Sequence, residues 1–164
     1  MNDRRNTARW RRGSSALEFA VALPFFVMLV ICTIEFGWYF FVQHTLQYAT
    51  REGMRLALVG RQLTDTAGNT MSREASIIRT IKEQASLAVK PDGVLVSIYP
   101  VKDDFSDPTG WETQQDAGAP GDYMRVRTRY YHKVFTPLIP HFFKADHFWI
   151  VAEGTYRNEL FGGV

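Results

Sequence analysis

Residues 13–42 read GSSALEFAVALPFFVMLVICTIEFGWYFFV, and this stretch decides the architecture. No side chain from Phe19 to Ile34 is charged, and Glu18 and Glu35 close the run on either side. A helix rises ~1.5 Å per residue, which sets these two carboxylates ~25 Å apart along it, close to the ~30 Å of bilayer hydrocarbon. Glu18 and Glu35 are therefore expected to bracket a membrane span, with Glu35 as the acid at its outer limit. Beyond Glu35 stand Phe36, Trp38, Tyr39, Phe40 and Phe41. Trp and Tyr rings favour the membrane–water interface, where an amphipathic ring meets both environments.

Upstream of the span the chain is basic. Arg4, Arg5, Arg9, Arg11 and Arg12 face one acid, Asp3. By the positive-inside rule this cluster stays cytoplasmic, with Arg9, Arg11 and Arg12 closest to the span and setting its topology. The rest of the chain is then expected outside the cytoplasm.

The 164 residues suffice for one compact domain beside such a segment. The formal net charge is only +2, so no global field argues for nucleic acid, and the basic lean is local to the first twelve residues. Cys32 is the sole cysteine and lies inside the apolar run, so no intrachain disulfide can form and the outer domain depends on its core and sheet.

Three readings compete for the N-terminal segment. A cleaved secretory signal needs a small-residue site after its apolar core. Here Glu35-Phe36-Gly37-Trp38-Tyr39 follows and offers none. A plain signal anchor explains the arginines, the span and the aromatics, but leaves Glu18 at the edge of an apolar helix without a reason. A charge costs ~2.5–3.5 kcal/mol at the bilayer centre and less near the interface, so Glu18 alone does not decide. The third reading uses every feature. Gly13-Ser14-Ser15-Ala16-Leu17-Glu18-Phe19 resembles a type IV prepilin processing site. That resemblance implies cleavage by a prepilin peptidase between Gly13 and Ser14. Glu18 then becomes the fifth residue of the mature chain, with Phe19 beside it in the assembly and processing motif. It also implies that Glu18 pairs with the new N-terminal amine of a neighbouring subunit.

The likeness extends further. Arg11 to Ala20 is similar to the R-R-G-x-A-x-V-E-F-A opening of TadE-like proteins, and Leu23-Pro24 to their L-P. Ile34-Glu35-Phe36-Gly37 matches their I-E-F-G, and Ala49-Thr50-Arg51-Glu52-Gly53-Met54-Arg55 resembles A-A-R-E-G-A-R. Tyr156-Arg157-Asn158-Glu159 resembles their R-N-E close. The strong part covers roughly residues 11–57. The resemblance implies a minor pilin or pseudopilin of a Tad-type system, which assembles Flp pili for adhesion. Implied partners are a prepilin peptidase, other pilins or pseudopilins, and the Tad assembly platform in the bacterial inner membrane. No enzymatic activity, cofactor, metal or nucleic-acid partner is expected. The outer domain of about 100 residues separates this chain from the short major Flp pilins.

Past the span, Val42, Leu46, Ala49, Gly53, Leu56 and Val59 recur at three- and four-residue steps, the signature of an amphipathic helix, and Gly60 reads as its stop. Pro24 reads equally as a simple bend or as a flexible point for filament packing. Ser72 is expected to cap a second helix, with Glu74 in its first turn and Ala75, Ile78, Ile81, Ala85 and Ala88 as its apolar stripe, ending at Lys90-Pro91-Asp92-Gly93. Val94–Tyr99, Tyr123–Phe135 and Phe148–Tyr156 read as strands, the last two by strict alternation. Residues 103–121 read as a long solvated acidic loop. The expected fold class is α+β: a long pilin-like N-terminal helix, then a second helix packed on a small three-stranded antiparallel sheet. The expected divisions are a basic leader at 1–13, the transmembrane part of the helix at 14–42, its amphipathic extension at 43–60 and an extracytoplasmic domain at 61–164.

Other chemistry is weak. His44, His132, His141 and His147 lack metal-ligand spacing, and His141, His147 and Asp146 are better read as ordinary surface groups than as a site. Asp103, Asp104 and Asp107 do not have calcium-loop spacing. Arg125, Arg127 and Arg129 form a stripe that reads as the solvent face of a strand rather than a binding surface, and Phe142-Phe143 reads as packing or as an exposed patch.

Overall fold

The computed structural model describes residues 4–135 and 147–160, with side chains from Ser15 onward. His141, Phe142, Phe143 and Asp146 lie outside the described residues. The chain divides into two compact units, Met1–Trp38 and Tyr39–Val164. Helix α1, Arg4–Leu58, contributes to both.

Within the first unit α1 passes Pro24 without interruption of the assigned helix. Thr33, the lone hydroxyl between Phe19 and Ile34, donates to the Leu29 carbonyl at 2.8 Å, which satisfies it inside the helix.

The second unit is a sheet with two helices on one face. Strands β1 (Val94–Pro100), β2 (Tyr123–Lys133) and β3 (His147–Arg157) form an antiparallel meander in the order β1-β2-β3. Val126 pairs with Ile98 on one side and Gly154 on the other, which fixes the register. Alternation then sends Val96, Ile98, Met124, Val126, Thr128, Ile150, Ala152 and Tyr156 to one face, where they are buried. Against it packs the second half of α1, through Val42, Leu46, Ala49 and Ala57.

The helix runs alongside β3 in the same direction. Tyr39 meets Phe148 edge to face at 5.3 Å. The Gln43 side-chain amide donates to the Val151 carbonyl, and the Glu159 N–H donates to the Leu58 carbonyl. Between these ends Thr50 and Thr128 join α1 to β2 by a buried hydroxyl–hydroxyl bond of 2.9 Å. The helix then stops as Gly60 takes a left-handed φ of 66°. The Gly60 N–H bonds the Ala57 carbonyl and the Arg61 N–H bonds the Leu56 carbonyl, which is the Schellman arrangement. Val59, expected on the apolar stripe, is exposed, because the chain is already leaving the helix there.

Helix α2, Arg73–Ala85, starts at Ser72, whose hydroxyl accepts from the Ala75 N–H. It ends earlier than its sequence pattern suggests. Its buried residues are Ser76, Ile77, Ile81 and Ala85, so the inward face is turned by about one residue, ~100°, from the expected Ala75–Ile78–Ile81 stripe. Ser76 enters the core because its hydroxyl is fully used: it donates to the Ser72 carbonyl and accepts from the Leu63 N–H. Gly53 of α1 makes the close crossing possible, since a Cβ there would collide with the Ile81 side chain.

Residues 101–122 are not a solvated loop. They fold back over the other face of the sheet. Gln114 and Asp116 bond the backbone of Ile98 on both sides, which covers the β1 edge with a parallel bridge. Asp107 reaches Arg125 and Arg127, and Trp111 lies under the Arg127 guanidinium at 4.1 Å and the Arg129 guanidinium at 4.7 Å. The arginine stripe is thus half-buried and bound within the protein rather than facing solvent.

Candidate processing and assembly segment

The candidate residues cluster in the first half of α1. The backbone of Arg9, Arg11, Arg12, Gly13 and Ser14 is helical, and their side chains lie outside the described residues. The helix runs through the Gly13–Ser14 bond without a break. One turn on, Glu18 and Phe19 are exposed. From there the apolar surface continues uncovered: Val21, Phe25, Phe26 and Leu29 are exposed, Phe25 to 68%. Such an area of bare hydrocarbon is stable only against lipid or against other apolar helices. Ser15–Leu58 is the one described helix long and apolar enough to cross a membrane. Glu35 differs from Glu18, for only 6% of it is accessible.

A second polar cluster ties the far end of the outer unit together. Asn158 is 3% exposed, and its side-chain amide donates to the carbonyls of Ala117 and Ala119. Its backbone N–H donates to the Asp122 carbonyl, and its carbonyl accepts from the Gly121 N–H. Arg73, at the start of α2, donates to the Gly118 carbonyl and also reaches the Ala57 carbonyl and Asn158 Oδ1. The ends of α1 and β3, the start of α2 and the returning loop therefore meet at one asparagine. Sequence reading singled out Asn158 only as part of a terminal motif. Arg73 had no signal beyond its place after the cap.

Around Asp107 the charges interlock. Burial works to raise its carboxyl, but the hydrogen bonds from Tyr99 and Arg125 and the charges of Arg127 and Arg125 prevail and hold it below the usual carboxylate range. Tyr99 is pushed up to about 12 by burial and by its bond to Asp107. Glu153 takes the other side of Arg127. Among the described residues no group of three or more His, Cys, Asp or Glu is placed to hold a metal ion.

These features define a helix-anchored α+β protein, whose single long apolar helix fits a single-pass membrane anchor. Residues 13–55 match the family described as TadE-like protein, the segment that holds Gly13, Glu18 and the first half of the outer-unit helix. This family points to a protein associated with the Tad pilus and is not known for catalysis. Comparison with curated proteins and with solved structures found no match.

Proposed function

We propose that the chain is a minor pilin or pseudopilin of a Tad-type (Flp) pilus, processed by a prepilin peptidase and acting in pilus assembly and adhesion. The observation that carries this reading is the uncovered apolar helix that begins one turn after Gly13-Ser14 and carries Glu18 at its head. In the inner membrane, lipid covers that surface. In a filament, the same helices of other subunits do. Cleavage after Gly13 leaves Ser14 with a cationic amine, and a neighbouring Glu18 offers the counter-charge that a low-dielectric core requires. Arg9, Arg11 and Arg12 keep the leader cytoplasmic until it is cut, and the outer unit lies in the periplasm or, in the pilus, outside the cell. Glycine costs a helix about 1 kcal/mol relative to alanine, so the turn at Gly13 is an easy place for a peptidase to open the backbone.

Coexpression with a cognate prepilin peptidase is expected to remove thirteen residues and leave Ser14 first, as read by N-terminal sequencing or intact mass. Gly13→Val is expected to leave the leader in place. An intact wild-type leader, or a cut elsewhere, overturns the reading. A second reading, an unprocessed signal anchor with an outer interaction domain, draws on the unbroken helix through Gly13-Ser14. It expects the leader to stay and Glu18→Ala to change nothing, whereas the pilin reading expects Glu18→Ala to lower pilus yield while the cut still occurs.

A further inference from the structure

We propose that one end of the outer unit's sheet, built from Tyr131, Lys133, His147 and Trp149, rests on the membrane surface against an anionic headgroup layer. The proposal depends on the apolar helix being a membrane span. In the second unit, α1 and β3 start at the same end, with the Tyr39 ring against Phe148. Tyr39 stands four residues past Glu35, where the uncharged run has ended. The end of β2 and the start of β3 are therefore held, by a direct ring contact, level with residues that sit at the outer limit of the span.

That end of the sheet has the chemistry of an interface. On the face away from the helices, Tyr131 stacks on His147 at 4.3 Å and meets Trp149 edge to face at 5.1 Å. Trp149 is 49% exposed and Tyr131 44%, with Leu95 and Val151 exposed on the same face. The returning loop, which covers Ser97 and Tyr99 further along, leaves this end bare. Phe40 and Phe41 are exposed on the adjoining helix. Large amphipathic rings gathered at one edge of a domain suit the headgroup zone, where the ring body meets acyl chain and the polar edge meets water.

The charges agree. Residues 36–50, 128–135 and 147–152 contain no carboxylate, and Arg129 and Lys133 lie within them. The Arg129 guanidinium also lies over Trp149 at 5.9 Å. The start of β1, at the same end, adds Lys90 and Asp92, one of each sign. Acids collect at the other end and under the returning loop, as Asp107, Asp116, Asp122 and Glu159. A surface with bare aromatics and uncompensated cations at the membrane end fits anionic lipid. The sheet then gives the anchored domain a second footing, and fixes its tilt on the bilayer before assembly.

The test uses full-length chains with one tryptophan each, reconstituted in phosphatidylcholine–phosphatidylglycerol vesicles carrying a nitroxide-labelled lipid near the headgroup. One chain keeps Trp149, with Trp10, Trp38 and Trp111 changed to Phe. A second keeps Trp38. A third places the probe at the opposite end of the sheet as Tyr123→Trp. Trp149 is expected to be quenched to at least about half the extent of Trp38, and the probe at 123 to be unaffected. A quenched Trp38 beside an unquenched Trp149 overturns the proposal and assigns the patch to a protein or glycan, while the anchor reading stands. Equal quenching at 149 and 123 overturns it too, for the domain then lies flat. If Trp38 is not quenched either, both readings fall. Photolabelling of the unsubstituted chain from a headgroup-proximal diazirine lipid answers the same question without substitutions. Adducts at Tyr131–Lys133 and His147–Val151 support the proposal, and their absence overturns it.

Discussion

At the scale of single residues, two side chains do most to hold the outer unit in shape. Asn158 is buried with both amide hydrogens placed on the carbonyls of Ala117 and Ala119. Asn158→Ala leaves those carbonyls without partners and frees the returning loop. The expected loss is about 2–3 kcal/mol, read from denaturant unfolding of the full chain in detergent. Asp107 works through charge. Its carboxyl is depressed in the folded protein, so the unfolded chain binds its proton first as pH falls, and stability declines as pH drops from the ordinary carboxylate value near 3.8 through the lower folded value. Above that window the contribution is fully present. Asp107→Asn is expected to cost about 1 kcal/mol at neutral pH and to flatten the acid limb of a melting-temperature profile between about pH 5 and 3. An unchanged acid limb in the variant would assign that slope to other carboxylates. Neither role was legible beforehand. A hydrogen bond from residue 158 to residue 117, or an ion pair from 107 to 125, has no periodicity for a sequence pattern to display.

The elements were far more open to reading. β2 and β3 alternate Met124, Val126 and Thr128 or Ile150 and Ala152 with polar residues, because one face is buried and the other is not, and a period of two survives any detail of packing. The cap at Ser72 and the stop at Gly60 are local chemistry, written in the residues themselves. The inward face of α2 was misplaced for a definite reason. Hydropathy counts serine as polar, yet Ser76 is buried with its hydroxyl satisfied by Ser72 and Leu63, and this rotates Ile77 inward. The helix–helix crossing sharpens the point, for it depends on a missing side chain. Gly53→Val would drive branched methyls into Ile81 and Ile77. The expected cost is about 1–3 kcal/mol in thermal or denaturant unfolding of the full chain, even though valine has the better helix propensity. A variant as stable as wild type would mean that α2 can slide outward without loss, and that the packing of α1 on the sheet carries the core alone. Of the candidate segment, the residues of the motif were legible and match the family over 13–55, whereas burial of Glu35 was not, since a carboxylate at the edge of an apolar run reads as a solvated boundary.

For the whole molecule the question is which side of the membrane each part occupies. The first twelve residues hold five arginines against one acid, and arginine counted close to a span is what fixes orientation. The outer unit has a complete core, a covered β1 edge and an interlocked charge cluster, so it is built to stand in water. These two facts call for a cytoplasmic start and an extracytoplasmic domain. Cys32 lies within the apolar run, so the native chain should show little background with a membrane-impermeant maleimide. A cysteine placed at exposed Lys90 is expected to be labelled in spheroplasts without lysis, and one placed at Thr7, ahead of the span, only after the membrane is opened. Replacing Arg4, Arg5, Arg9, Arg11 and Arg12 by glutamine removes the orienting charge. It is expected to lower labelling at position 90 several-fold as part of the population inserts the other way or fails to insert. Labelling at 90 that ignores the arginines would show that folding of the outer unit, not the charge ahead of the span, commits the topology. Labelling at position 7 in intact spheroplasts would reverse the orientation outright, and with it the access of a cytoplasmic-face peptidase to Gly13.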